Sequence, residues 1–504
     1  MLEQVGNLLF IIPDFLYIED YQKLLYYNDI PLGTLQISSY LRSRKNIKTN
    51  IIDLRLEQEK YPNLAIKEPF EFNEKKLTNP FLKTNTRQVD GDFDRFKKSF
   101  FQCLEKKGIQ EFDNIGINCY TSYQYSYTNF IATLIKCEFP KKNIIVGGYH
   151  PTGVPEDFTY KNSPFNFIIK GEAELILIDL LESGILKGNG KPNIFNSKNC
   201  IDINTLPFPD YELYLTQYPF KNKFKFEFYM SRGCPYQCAF CALNFPFRNV
   251  TFEKFKEDFT RLCQLVGDYN PNLLKIAFAD QSFGRVSISE KVLEYIIQNN
   301  FSDTFNFSCQ SRVENFEDRS NLIKKYREAN MIIGFGFESA NKNLLIEMHK
   351  TETPKKYIQT MEKILDHYKK ANGPYCRINL LAGFPGEDHH SFNETMEFVN
   401  DNCLHKNIQI SPTLFSNYPN VFVYKNMVYY RKKYGSKFIK AWWKLPSNPF
   451  KNSVLKKVSK NYSRKQLIGD YKDNYFEILR AWNGEIFRDL LHWKLFFNNW
   501  YKQL

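Results

Sequence analysis

Short apolar runs recur along the first 185 positions, each followed by a segment with a helical repeat. Leu8 to Ile12 reads as a strand, Gly33 to Arg42 as a helix and Ile51 to Leu54 as a second strand. A polar insertion from Glu57 to Phe93 carries little periodicity. Beyond it come the strand Ile115 to Asn118, a helix near Tyr127 to Cys137, the strands Asn143 to Val146 and Phe165 to Ile169, and the helix Ala173 to Leu181. Parallel strands need a crossover to return, usually a helix, so this alternation predicts a doubly wound parallel sheet. Its ligand belongs at the carboxyl ends of the strands.

The Pro-rich stretch Leu206 to Pro209 closes that series, and the alternation then resumes. Lys225 to Met230, Leu273 to Phe278, Phe305 to Cys309, Ile332 to Phe337 and Ile378 to Ala382 read as strands. Helices with Lys and Glu faces separate them, among them Glu253 to Val266, Arg319 to Ala329 and Thr353 to Lys370. Five or six β-α repeats predict a closed or partly closed barrel with chemistry on the loops that follow its strands. The expected fold class is therefore α/β. An N-terminal Rossmann-like doubly wound parallel sheet (1–205) precedes a partial (β/α) TIM-type barrel (215–420) and a basic, aromatic-rich, mainly helical C-terminal region (421–504).

Composition changes this picture in two places. The 504 residues exceed one hydrophobic core, and an apolar fraction of 43% excludes a disordered chain. No run of about 18 uncharged apolar residues occurs, and the stretch ahead of Pro13 lacks a basic start and a cleavage site. The expectation is a cytoplasmic protein with no transmembrane segment. The formal charge of +13 falls entirely on Val421 to Leu504, which holds 18 Lys or Arg against 5 Asp or Glu. All five Trp (Trp442, Trp443, Trp482, Trp493, Trp500) lie there too. Interleaved cations and aromatics, as in Tyr429 to Tyr434 and Lys440 to Lys444, suit anionic or stacked ligands, including single-stranded nucleic acid. The preferred reading is a helical cap over the barrel mouth with buried Trp, its charge aiding capture of an acidic substrate.

The strongest chemical signal is Cys234-Pro-Tyr-Gln-Cys238-Ala-Phe-Cys241, directly after the strand that ends at Met230. Three thiolates within eight residues can converge on one metal centre. A structural zinc needs four ligands, and neither a fourth Cys nor a His lies nearby. A four-iron cluster on three thiolates keeps one iron open for a substrate or cofactor. Three inert, buried Cys are the bland alternative, as they are for the eight scattered elsewhere.

This loop after the first strand of a partial barrel resembles the radical S-adenosylmethionine superfamily, over roughly Phe224 to Cys403. The resemblance implies that Cys234, Cys238 and Cys241 hold a 4Fe-4S cluster and that Phe240 lies against the adenine of S-adenosylmethionine. It implies that the open iron chelates the amino and carboxylate groups of that cofactor. An electron from the reduced cluster would then split the sulfonium into methionine and a 5′-deoxyadenosyl radical. Asp280 in Phe278-Ala-Asp280-Gln-Ser-Phe283, Arg312 in Gln310-Ser-Arg312-Val and Glu338 in Gly334-Phe-Gly336-Phe-Glu338-Ser339 stand at the ends of successive predicted strands, and the resemblance implies that they extend the S-adenosylmethionine site. Gly383-Phe-Pro385-Gly386-Glu387 reads equally as turn chemistry.

No GxGxxG follows the first strand, where Pro13-Asp14-Phe15-Leu16 stands instead, so a nicotinamide site is disfavoured. Ile30-Pro31-Leu32-Gly33, Val146-Gly147-Gly148-Tyr149-His150-Pro151 and Lys170-Gly171-Glu172-Ala173-Glu174 resemble the cobalamin-binding domain that precedes many such barrels. That resemblance implies cobalamin held by Thr121, Ser122, Gly147, Gly148 and Glu172. The DxHxxG signature of a lower-axial His is absent, and His150 reads as a loop or supporting residue. A domain of the same fold without a corrin stays open.

Together these features predict a radical S-adenosylmethionine enzyme, with C-methylation of an unactivated carbon as the first reading. Cyclisation or rearrangement by the same cofactors is its nearest rival. Methylthiolation needs a second Cys cluster, and Cys103, Cys119 and Cys137 are widely separated. A metal-stabilised nucleic-acid-binding protein is the alternative of another class. The expected partners are a small-molecule or peptide substrate of anionic character and an external electron donor such as flavodoxin or ferredoxin, with no nucleic acid.

Overall fold

The computed structural model describes residues 6–14, 30–44, 47–64, 86–182, 191–197, 199–219, 225–243, 245–269, 274–370, 372–445 and 449–481. The chain divides into two compact units. One comprises Met1–Tyr27, Pro31–Pro219 and Ala441–Asn452; the other comprises Asn28–Ile30, Phe220–Lys440 and Ser453–Leu504.

The first unit is built on β1 (Gly6–Ile12), β2 (Ile47–Asp53), β3 (Asn114–Asn118), β4 (Asn143–Gly147), β5 (Phe167–Lys170) and β6 (Asn193–Asn196). They form one six-stranded parallel sheet in the order β2-β1-β3-β4-β5-β6. Leu8, Leu9, Ile11, Ile115, Ile144 and Val146 are wholly buried, as expected of central strands covered on both faces. The strand order reverses between β1 and β3, which places a crevice at their carboxyl ends. Two elements exceed the expectation from sequence. β6 is an edge strand whose Asn-Ile-Phe-Asn sequence carries too few apolar residues to announce it. The helix Thr86–Lys106 begins inside the supposed insertion, and its Phe96, Phe100, Cys103 and Leu104 are buried at helical spacing. Residues 65–85 of that insertion lie outside the described residues.

The Pro-rich stretch lies pinned along the helix Leu32–Arg42. Gln36 donates to Pro207 O at 2.8 Å, Ser39 to Phe208 O at 2.5 Å and Ser38 to Asp210 at 2.6 Å. Farther along, Tyr214 donates to the buried Asp53 at 2.7 Å.

The second unit contains β7 (Phe226–Phe228), a two-residue clasp of β8 (Ser231–Arg232) with β9 (Arg248–Asn249), then β10 (Lys275–Phe278), β11 (Asn306–Ser311), β12 (Met331–Glu338), β13 (Cys376–Ala382) and β14 (Ile408–Leu414). Apart from the clasp these strands are parallel and stand in the order β14-β13-β12-β11-β10-β7. Each main strand pairs with its predecessor in sequence, the connectivity of a (β/α) barrel, and the sheet ends at β7 and β14, so the barrel is partial. Its helices are amphipathic. In Phe252–Tyr269, for example, Phe255, Phe259, Leu262, Cys263 and Val266 are buried. Of the six strands of the barrel sheet, β14 is the one the sequence does not announce. Its pattern Ile-Gln-Ile-Ser-Pro-Thr-Leu is half polar, and Pro412 is tolerated because β14 is an edge.

C-terminal to the barrel are the helices Phe422–Lys425, Met427–Tyr434, Pro449–Ser453 and Arg464–Ala481, with a small hairpin of β15 (Lys457–Ser459) and β16 (Tyr462–Ser463). Trp442 and Trp443 are buried, in the stretch that belongs to the first unit. Trp482, Trp493 and Trp500 lie outside the described residues. Among the described residues no helix is long and apolar enough to cross a membrane.

Candidate active site

The three-cysteine loop leaves the carboxyl end of β7 and is held at both ends. At its entry, Asp280 from the end of β10 accepts from Met230 N at 3.0 Å and from the Ser231 hydroxyl. Asp280 is 1% exposed, and burial pushes its carboxyl up to about 6 despite these donors. Gly233 sits at φ +76°, where a Cβ would stand 2.4 Å from the Phe245 and Pro246 carbonyl oxygens. Only glycine lets the outgoing and returning strands of the clasp lie so close.

Between its ends the loop is tied to the barrel. Ala239 N donates to Met348 O at 2.8 Å, and Ala239 O accepts from Val423 N at 3.1 Å. Ala239 is fully buried in a cluster with Leu344, Met348, Phe384, Phe415 and Tyr430. Cys234, Cys238 and Cys241 on the same loop are partly exposed. Desolvation raises the Cys234 thiol and pushes that of Cys241 up to about 11, so both are protonated until a metal displaces the proton. Among the described residues no three His, Cys, Asp or Glu side chains are gathered to hold a single metal ion. In a 4Fe-4S cluster each thiolate binds a different iron, so three spaced thiols suit that centre. Of the other eight Cys, six are buried and Cys137 and Cys200 are exposed.

Two cations stand beside the loop. Arg312, just after β11, donates from Nη1 to Cys238 Sγ at 3.0 Å and grips Glu314 through Nε at 3.2 Å and Nη2 at 2.6 Å. Its guanidinium stacks on the Tyr236 ring at 3.9 Å from the centroid, and Nη2 also donates to Lys350 O. Burial works against its charge, but the Glu314 hydrogen bond and the neighbouring Cys238 hold it protonated. Lys350 is 5% exposed, pairs with Glu338 at 3.1 Å and lies 5.8 Å over the Phe240 ring.

Glu338 reaches Lys350 because β12 breaks its regular pairing. The register against β13 slips between Gly336 and Glu338, and Glu338 takes φ +71°, rare for a residue with a side chain. Phe337 turns into the core against Tyr357 and Phe398, while the Glu338 carboxylate comes within 2.8 Å of where a Cβ on Gly336 would stand.

The structure thus brings Cys234, Cys238, Cys241, Phe240, Arg312 and Glu338 into one neighbourhood and sets Asp280 at its base. Lys350 is the residue sequence reasoning missed. It follows a short helix in a polar stretch, and no motif marks it; only its place one loop after Glu338 points to it.

In the first unit the candidate residues crown β3, β4 and β5. Thr121 caps the turn Ser122–Gln124, whose Gln124 side chain returns to Tyr120 N at 2.9 Å. The Ser122 hydroxyl meets Nδ1 of the buried His150 at 2.7 Å. Gly148 sits at φ +117°, and a Cβ there would stand 2.5 Å from Cys119 O, so its freedom serves the approach of two loops. A Cβ on Gly147, by contrast, would meet only Ile169 at 4.0 Å, which leaves open space. Thr152 ties the loops after β4 and β5 together by donating to Gly148 O at 2.7 Å and accepting from Gly171 N at 3.0 Å. Glu172, half buried, follows in the turn after β5.

Residues 228–399 match the model of the Radical SAM superfamily. The barrel is a radical SAM domain. An uncharacterized methyltransferase of Pyrococcus horikoshii is 27% identical over 321 residues, 58% of this chain. The chain spans 65% of that relative's length. Among solved structures, the cobalamin-dependent S-adenosylmethionine radical enzyme OxsB aligns over 97% of this chain and 70% of its own, with a TM-score of 0.61 and 15% identity. The radical S-adenosylmethionine methyltransferase TsrM from Kitasatospora setae, with tryptophan and a cofactor analogue bound, aligns over 95% and 89%, with a TM-score of 0.59 and 11% identity. At those identities the likeness is one of fold.

Proposed function

We propose that this protein is a radical S-adenosylmethionine methyltransferase that uses a 4Fe-4S cluster and cobalamin to methylate an unactivated carbon of a small molecule or peptide. The observation that carries the reading is the Cys234–Cys241 loop, seated on a radical SAM barrel with three partly exposed thiols on a loop anchored by the buried Ala239. The donor set is soft and all thiol, which fits an iron–sulfur cluster.

Bound there, the cluster would supply an electron to the sulfonium of S-adenosylmethionine, and cobalamin would supply a methyl carrier. The chain's own residues do the rest. Glu338 and Lys350 form a buried acid–base pair suited to the ammonium and carboxylate of the cofactor's amino-acid end, and Phe240 offers a face to its adenine. Asp280 positions the loop entry and need not touch the cofactor. In the first unit Thr121, Gly147 and Glu172 are proposed to face the corrin. Ser122 and Gly148 are engaged with His150 and Cys119 and set the loops. The Gly147 opening is the feature there that fits a flat ligand.

The relative of Pyrococcus horikoshii and TsrM both bear the name methyltransferase, which supports methyl transfer. OxsB is a cobalamin-dependent S-adenosylmethionine radical enzyme whose name does not specify methyl transfer, and cyclisation or rearrangement by the same cofactors is kept as the second reading. An external flavodoxin or ferredoxin is the proposed electron source. Anaerobic reconstitution with iron and sulfide tests the reading: the reduced protein is expected to cleave S-adenosylmethionine and Cys238→Ala to lose that activity. Zinc occupancy without cleavage supports the binding-protein alternative. Retention of cobalamin during purification tests the N-terminal assignment separately.

A further inference from the structure

We propose that Arg312 tunes the reduction potential of the centre held by Cys238, raising it through a charged hydrogen bond to the Cys238 sulfur that Glu314 moderates. The inference rests on the cluster assignment above and concerns residues of this chain that neither the family match nor the sequence motif assigns to that task.

The geometry leaves Arg312 little other work. It is 5% exposed, and four contacts fix it: Glu314 through Nε and Nη2, Lys350 O through Nη2, the Tyr236 ring beneath its plane, and Cys238 Sγ through Nη1 at 3.0 Å. Tyr236 belongs to the cysteine loop, so the stack and the sulfur contact together grip the loop between two of its cysteines. The guanidinium is planar and does not lose its proton, so its N–H stays aimed at the sulfur in both redox states.

Reduction adds one electron from an external reductant and leaves the cluster more negative by one charge, with no proton moved. A hydrogen bond and a positive charge at a ligand sulfur favour the more negative state. The guanidinium itself is buried, so solvent screens the effect less than it would for an exposed cation. Glu314 is the counterweight, because its carboxylate cancels part of the guanidinium charge at 2.6 Å. Removing the cation and removing the anion should therefore move the potential in opposite directions, which a purely structural role would not do.

The experiment is a potentiometric titration of the reconstituted full-length protein with dithionite or titanium citrate, followed by the electron paramagnetic resonance of the reduced cluster. Arg312→Gln is expected to reduce the ratio of reduced to oxidised cluster tenfold at the wild-type midpoint, a shift of 59 mV to lower potential for one electron. Arg312→Lys keeps the charge without the fork and is expected to fall between. Glu314→Gln is expected to shift the midpoint upward. If Arg312→Gln assembles no cluster, the upward shift in Glu314→Gln still decides. Unchanged midpoints, or shifts of the same sign in both variants, overturn the inference. A wild-type chain that assembles no iron–sulfur cluster overturns the assignment beneath it, a result readily told apart from an unmoved potential.

Discussion

Trp443 donates its indole N–H to Asp157 at 2.6 Å, joining residues 286 positions apart in one unit. Lys444 pairs with the other carboxylate oxygen at 2.8 Å, and His150 Nε2 lies 3.4 Å from the first. Burial works against the Asp157 charge, yet His150 and Lys444 hold its carboxyl below the ordinary range. Burial also lowers His150, whose Nδ1 faces the Ser122 hydroxyl. A segment of the basic, Trp-rich region therefore acts as a strap on the loops after β3 and β4.

Asp157→Ala leaves two strap donors without their acceptor, at a cost of about 2 kcal/mol. Hydrogen exchange in residues 148–159 and 441–445 is expected to quicken about 30-fold, while the barrel strands keep their protection.

Gly233→Ala puts a methyl group against two carbonyl oxygens at a backbone angle that disfavours it. The clasp of β8 and β9 should open. The expected result is a folded barrel that binds less than half the wild-type iron after reconstitution, measured by metal analysis and far-ultraviolet circular dichroism.

Lys350→Met removes the cation from the Glu338 pair without changing the cysteines. Iron content should stay at the wild-type level, whereas affinity for S-adenosylmethionine is expected to fall at least about tenfold by calorimetry.

Glu387 gives a pH signature. Burial pushes its carboxyl from 4.5 up to about 8, against the opposing Gly383 N–H bond. Between those pH values the folded chain retains a proton that the unfolded chain has released. Stability is therefore full below about pH 4.5 and declines as pH rises toward 8, by at most about 1.4 kcal/mol per unit. Glu387→Gln should flatten the pH dependence of the thermal midpoint from pH 5 to 8.

Both sheets and the cysteine loop are legible in the sequence because they rest on local signals: continuous apolar strands, 3.6-residue repeats and thiols at fixed spacing. What escapes is set by tertiary contact. β6 and β14 are edge strands with polar faces, and pairing to a neighbour, not composition, makes them strands. Lys350 gains its meaning only when the β12 bulge turns Glu338 toward it. The glycines after β4 read as one ligand cradle, yet Gly148 abuts Cys119 and Gly147 alone faces open space.

The account turns on whether Cys234, Cys238 and Cys241 hold a cluster with an open iron. Electron paramagnetic resonance of the oxygen-free, reduced protein before and after adding S-adenosylmethionine measures this directly. The expected result is about four iron and four sulfide per chain and a 4Fe-4S signal that changes when the cofactor binds. A tightly bound zinc ion, or a cluster signal indifferent to S-adenosylmethionine, would contradict it.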